Sequence, residues 1–108
     1  MSQEIPVQET SNNVFADLDL PNPEEMLIKA ELLRQISEII TRQNLTQVEA
    51  AHLLGIDQPK VSTLLRGKLS GFSLERLLRF INMLGQDVEI VVKAKPPERT
   101  QAQTTVTY

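Results

Sequence analysis

The sequence predicts a mainly α protein, a bundle of four helices followed by one β-strand near the C-terminal end. Three observations carry this expectation. Apolar residues recur at three- and four-residue spacing through residues 22–84, the period of helices with one buried face. Asn22, Thr46, Asp57 and Ser73 stand where helix N-caps are needed, and Gly55, Gly67 and Gly85 where helices should stop. After Gly85 the period falls to two, which is that of a strand. Length and composition agree. A chain of 108 residues suits one small domain with one modest core. With 4% aromatic residues and no Trp, that core must be built from Leu, Ile, Val and Ala.

The first element is expected to begin at Asn22-Pro23-Glu24-Glu25. Asn is a good N-cap, Pro fits the first helical position, and acids suit the positive end of the helix dipole. Met26, Leu27, Ala30, Leu33, Ile36 and Ile40 supply its apolar spacing to about Gln43, with Leu32 and Ile39 widening the face. Lys29, Arg34 and Glu38 are its polar positions. Thr46-Gln47-Val48-Glu49 has the form of a capping box and opens a short helix from Gln47 to about Leu53. Gly55 suits the left-handed turn that ends it. Asp57 caps a third helix running to about Leu65, with Pro59 tolerated in its first turn. Ser73 opens a fourth helix whose buried face is Leu74, Leu77, Leu78, Ile81 and Leu84.

Residues 87–93 alternate, and Val88, Ile90 and Val92 share one side of the expected strand. A single strand is not stable alone. It needs either the N-terminal segment or the same strand of a second chain. The organisation is then an N-terminal arm (1–21), a domain (22–93) and a disordered tail (94–108) rich in Pro, Gln and Thr. The absence of Cys excludes disulfides, thiolate metal sites and a cysteine nucleophile. No apolar run reaches membrane-spanning length and the acidic start lacks a signal-peptide n-region, so the expected location is the cytoplasm.

The formal net charge of −3 does not suit a nucleic-acid binder, but its distribution does. Residues 1–31 carry seven acids against one Lys. Residues 57–79 carry Lys60, Arg66, Lys68, Arg76 and Arg79 against Asp57 and Glu75. A local basic patch is what phosphates respond to.

Two short helices around a tight Gly turn form a rigid unit only if certain positions are small or apolar. Ala51 stands where the helices approach, Gly55 makes the turn, and Ile56, Val61 and Leu64 face inward, with Val48 and Leu53 as further inward candidates. The outward positions are then Gln58, Pro59, Ser62 and Thr63. Gln can pair bidentately with adenine, Ser and Thr can bond several base edges, and the Thr methyl can pack on that of thymine. These four are the candidate base contacts. Gln47, Lys60, Arg66 and Lys68 are candidate phosphate contacts, which position a protein without reading sequence.

The run Gln47-Val48-Glu49-Ala50-Ala51-His52-Leu53-Leu54-Gly55-Ile56-Asp57-Gln58-Pro59-Lys60-Val61-Ser62 resembles the helix-turn-helix of the λ-repressor-like (XRE) regulators. Three flanking stretches more narrowly resemble HigA-type antitoxins: Leu64-Leu65-Arg66-Gly67-Lys68-Leu69-Ser70-Gly71-Phe72-Ser73, Asn13-Val14-Phe15-Ala16-Asp17-Leu18 and Leu84-Gly85-Gln86-Asp87-Val88-Glu89-Ile90. The resemblance spans roughly residues 12–95. It implies a repressor that binds double-stranded operator DNA as a homodimer, represses its own operon and neutralises a toxin that cleaves mRNA. One departure is plain. Where the wider group has a fifth helix, this chain has the strand 87–93, which favours strand pairing across a two-fold axis.

Other polar groups point to no chemistry. His52, the sole His, lacks acid–base or metal partners and reads as a helix-surface residue. Asp17, Asp19, Glu24 and Glu25 read as a helix-start charge bias and a solvated segment, not a metal site. Neither catalytic residues nor cofactors are expected, and an enzyme has no support. The alternative function is a protein-interaction module whose main act is binding a toxin, with weak or no DNA binding. The acidic residues 1–31 and apolar Val14, Phe15, Leu18 and Leu20 would then face the toxin, or else pack on their own domain.

Overall fold

The computed structural model describes residues 22–107. These described residues form four helices: α1 (Pro23–Arg42), α2 (Gln47–Leu54), α3 (Gln58–Leu65) and α4 (Leu74–Met83). The cluster Val14, Phe15, Leu18 and Leu20, with Asp17 and Asp19, lies outside the described residues, as does the rest of the expected arm 1–21. Among the described residues, no helix is long and apolar enough to cross a membrane.

All four expected N-caps form. Asn22 Oδ1 accepts from the Glu24 and Glu25 amides at 2.9 and 3.3 Å, and Ser73 Oγ accepts from the Arg76 amide at 3.1 Å. The turn just after α1 uses a residue the glycine pattern did not mark. Asn44 takes a left-handed φ of 55°, so Leu45 N–H reaches back to the Ile40 carbonyl at 3.1 Å. Asn tolerates this conformation better than other non-glycine residues. Leu45 thereby lands against the core.

The core lies where α1 crosses α4 and the α2–α3 pair. Its centre is Ile36, Val61, Leu64 and Leu77, all fully buried, with Leu32, Ile39, Ile40 and Leu54 around them. The inward face of α1 is therefore the stripe 29, 32, 36, 39 and 40, not one running through Leu27 and Ala30. At about 100° per residue, position 27 falls opposite Ile36 on the helix circumference, and Leu27 is 71% exposed. Ala30 is exposed as well. Lys29, expected to be solvated, is buried and pairs with Glu25 at 3.3 Å. Its long apolar stem lets a charged residue occupy an inward position.

The link between α3 and α4 also reaches the core. Leu69 and Phe72 are both buried, and Phe72 meets Phe80 edge-to-face with centroids 5.9 Å apart. The Arg76 guanidinium lies over both rings, at 5.0 and 5.4 Å. Gln43 Nε2 donates to the Leu84 carbonyl at 3.0 Å and joins the end of α1 to the end of α4.

The expected strand does not form among the described residues. A strand is held by a ladder to a neighbour, and among the described residues none pairs with 87–93. Val88 rests on the core, whereas Ile90, Val91 and Val92 are 75%, 72% and 92% exposed. The segment read as a disordered tail makes contacts with the helical body. Thr104 N–H donates to Glu24 Oε2 at 3.0 Å, Gln35 Nε2 donates to the Thr107 carbonyl at 3.4 Å, and Val106 packs on the core.

Candidate nucleic-acid interface

The α2–α3 unit is fixed at both ends by local hydrogen bonds. Thr46 and Glu49 form the full capping box: Glu49 N–H donates to Thr46 Oγ1 at 3.1 Å and Thr46 N–H to Glu49 Oε1 at 2.8 Å. At the other end of α2, Gly55 has φ 69° and ψ 28°, which lets Ile56 N–H reach the Ala51 carbonyl at 3.2 Å. An L-residue there would bring its Cβ against the backbone, at a cost of roughly 1–2 kcal/mol. Two residues later Asp57 Oδ1 accepts from the Lys60 amide at 2.9 Å and opens α3.

Packing then sets how the two helices are rolled. α2 buries Ala50, Ala51 and Leu54. Two adjacent alanines leave little side chain between the backbones, so α3 can approach closely. Ile56 is half-buried beside them. Val48 and Leu53, expected to face inward, are instead 61% and 43% exposed. Each lies about 110° around the helix from the buried stripe. With Leu45, Glu49 and His52 they line a shallow groove on the outer side of α2.

On α3, Val61 and Leu64 are completely buried and fix its inward face. The opposite stripe must be Pro59, Ser62, Thr63 and Arg66, spaced i, i+3, i+4 and i+7. Gln58 and Lys60 flank it. Gln58, Pro59, Lys60 and Arg66 are exposed, while Ser62 and Thr63 are half-buried. Two hydrogen bonds run along the stripe. Thr63 Oγ1 donates to the Pro59 carbonyl at 3.0 Å, and Arg66 Nη1 donates to Ser62 Oγ at 3.0 Å. Arg66, grouped from the sequence with phosphate-reaching residues, thus shares a face with three of the candidate base contacts, Pro59, Ser62 and Thr63. Gln47, in the first turn of α2, and Lys68, just after Gly67, are both exposed.

Besides Arg66, which is bonded to Ser62, the basic residues of 57–79 divide into two sets. Arg76 is held over its aromatic rings and Arg79 pairs with Glu75 at 3.0 Å. Among the described residues, Lys60 and Lys68 make no ion pair. Lysine charge without an ion pair therefore lies at the start and just beyond the end of α3. His52 is exposed, and no group of three or more His, Cys, Asp or Glu among the described residues could hold a metal ion. The aromatic–Arg76 cluster escaped the sequence reading, although Phe72, Arg76 and Phe80 stand four apart, which puts them on one side of a helix and its entry. The Ser62–Arg66 and Pro59–Thr63 pairs share that spacing.

Two capped helices of eight residues, joined by a left-handed glycine and packed through small side chains, define a helix-turn-helix domain. The comparisons agree. A family model described as a helix-turn-helix domain matches residues 14–93. A solved structure named as an XRE-family transcriptional regulator is similar to this chain, with 46% identity and a TM-score of 0.78 over 82% of this chain and 99% of that one. Among curated proteins, none matches. The chain belongs to the XRE-type helix-turn-helix family. It is a DNA-binding regulator and not an enzyme.

Proposed function

We propose that the chain is a sequence-specific transcriptional repressor, acting in the cytoplasm as a homodimer on operator DNA. The observation that carries this is the roll of α3. With Val61 and Leu64 completely buried, the polar stripe of the same helix is turned outward, and unpaired Lys60 and Lys68 flank it. In this reading α3 enters the major groove. Gln58, Pro59, Ser62 and Thr63 meet base edges, while Gln47, Lys60, Arg66 and Lys68 meet phosphates. The homodimer reading draws on residues 87–93. Exposed Ile90, Val91 and Val92 gain cover, and their backbone gains a ladder, if the segment pairs with its copy across a two-fold axis. Half-sites then lie about 10 base pairs apart, or a multiple of that.

The more particular reading is an antitoxin of a type II toxin–antitoxin pair that represses its own operon. It rests on the resemblance of residues 13–18, 64–73 and 84–90 to HigA-type antitoxins and on the acidity of residues 1–31. Selection of binding sites from random duplex DNA at stated salt tests the regulator. Enrichment of a two-fold-symmetric sequence is expected, and enrichment of none would sink it. Co-purification with the product of the adjacent gene tests the antitoxin reading, since a short basic partner is expected. Deleting residues 1–20 separates the two activities: loss of DNA binding alone would rule out a toxin-facing role for that segment.

A further inference from the structure

The hydrogen bonds along α3 restrict what two neighbouring hydroxyls can do. A hydroxyl carries one proton and two lone pairs. The Thr63 proton is engaged, because Oγ1 donates to the Pro59 carbonyl at 3.0 Å, one turn back within the same helix. Pro59 is the N2 residue of α3, and its carbonyl accepts from the Thr63 side chain at good hydrogen-bond distance. Ser62 is placed the other way round. Its oxygen accepts from Arg66 Nη1 at 3.0 Å, which leaves its own proton available.

We infer that Thr63 and Ser62 read DNA through different chemistry: Thr63 through its methyl group against a thymine methyl, and Ser62 as a hydrogen-bond donor to an acceptor on a base edge. The inference rests on the regulator reading above. For Thr63 to donate to a base it must break its bond to Pro59, exchanging one partner for another at no net gain. Its methyl carries no such commitment, and contact with the thymine C5-methyl removes apolar surface from water on both sides. For Ser62, the Arg66 guanidinium occupies one lone pair and disfavours a second cationic or N–H donor nearby. A base edge offering an acceptor, as G, A and T do and C does not, is the edge it suits.

The test uses the full chain in four forms: wild type, Thr63→Val, Thr63→Ser and Ser62→Ala. Each is put through site selection from random duplex DNA, with thermal melting to confirm that the fold is kept. Valine keeps the methyl and loses the hydroxyl; serine does the reverse. Wild type and Thr63→Val are expected to enrich thymine at one common position, and Thr63→Ser to flatten that position. Replacing this thymine by deoxyuridine should weaken binding about fourfold for wild type and Thr63→Val, the equivalent of one buried methylene, and leave Thr63→Ser unchanged. Ser62→Ala should flatten a different position. Every base pair carries a major-groove acceptor on one strand or the other, so at that pair one analogue lacking an acceptor (7-deazapurine for N7, 2-aminopurine for O6 or 5-methyl-2-pyrimidinone for O4) should weaken wild type and leave Ser62→Ala unchanged. The division of roles is overturned if Thr63→Val flattens its position while Thr63→Ser keeps it, if neither or both change it, or if no acceptor-deleting analogue distinguishes wild type from Ser62→Ala. If the wild type enriches no sequence, the regulator reading itself fails.

Discussion

Thr46 and Glu49 each cap the other's backbone amide across the first turn of α2, at 3.1 and 2.8 Å, so the helix-turn-helix unit begins with both partners satisfied. This matters because α2 is only eight residues long. A helix so short has little intrinsic stability and depends on its ends and on packing. Thr46→Ala should therefore destabilise the domain by about 0.5–2 kcal/mol. Equilibrium denaturation would measure it, and a change below the detection limit would mean the cap is not holding α2.

The turn glycine gives a second test. Gly55 has φ 69° with open space around the position a Cβ would take, so strain there is purely local backbone strain. Gly55→Ala should cost about 1–2 kcal/mol. Gly55→Asn should cost less, since Asn tolerates the left-handed region as Asn44 does at the end of α1. Equal losses for the two variants would argue against a conformational origin.

A pair of substitutions on α1 checks which face is inward. Ile36→Ala empties a fully buried site and should cost about 2–5 kcal/mol. Leu27→Ala removes a side chain that is 71% exposed and should fall within about 0.5 kcal/mol of wild type. A large loss at Leu27 would show that it is covered in solution.

Binding to DNA should separate charge from recognition. Lys60→Ala is expected to weaken binding to all sequences alike and to lower the salt dependence by roughly one counterion. Gln58→Ala should relax the preference at one base position. Binding titrations over a salt series check the first; a Gln58 variant that loses affinity uniformly and keeps its base preference would contradict the second.

Pairing through residues 87–93 is tested by sedimentation. A charge placed at Ile90 or Val92, such as Ile90→Asp, should shift the chain toward monomer while leaving thermal melting of the helical body nearly unchanged, because both side chains are well exposed in the single chain. If the wild type is itself monomeric at high concentration, the pairing is wrong.

Most of the helix-turn-helix was legible in the sequence because its determinants are local. Caps, a left-handed glycine and a three-to-four spacing act within one or two turns, so Asn22, Thr46, Asp57, Ser73 and Gly55 could be assigned from their neighbours alone. Tertiary structure decided the roll of each helix. Several apolar residues competed for the inward side of α1 and α2, and only the positions of α3 and α4 select Leu32, Ile36 and Ala50 while leaving Leu27, Val48 and Leu53 outside. The same holds for the buried Lys29, for the docking of Leu69 and Phe72 into the core, and for the contacts of Thr104, Val106 and Thr107 with the helical body. Each depends on partners far along the chain, and apolar spacing records that a residue can be buried, not which of several surfaces will meet it.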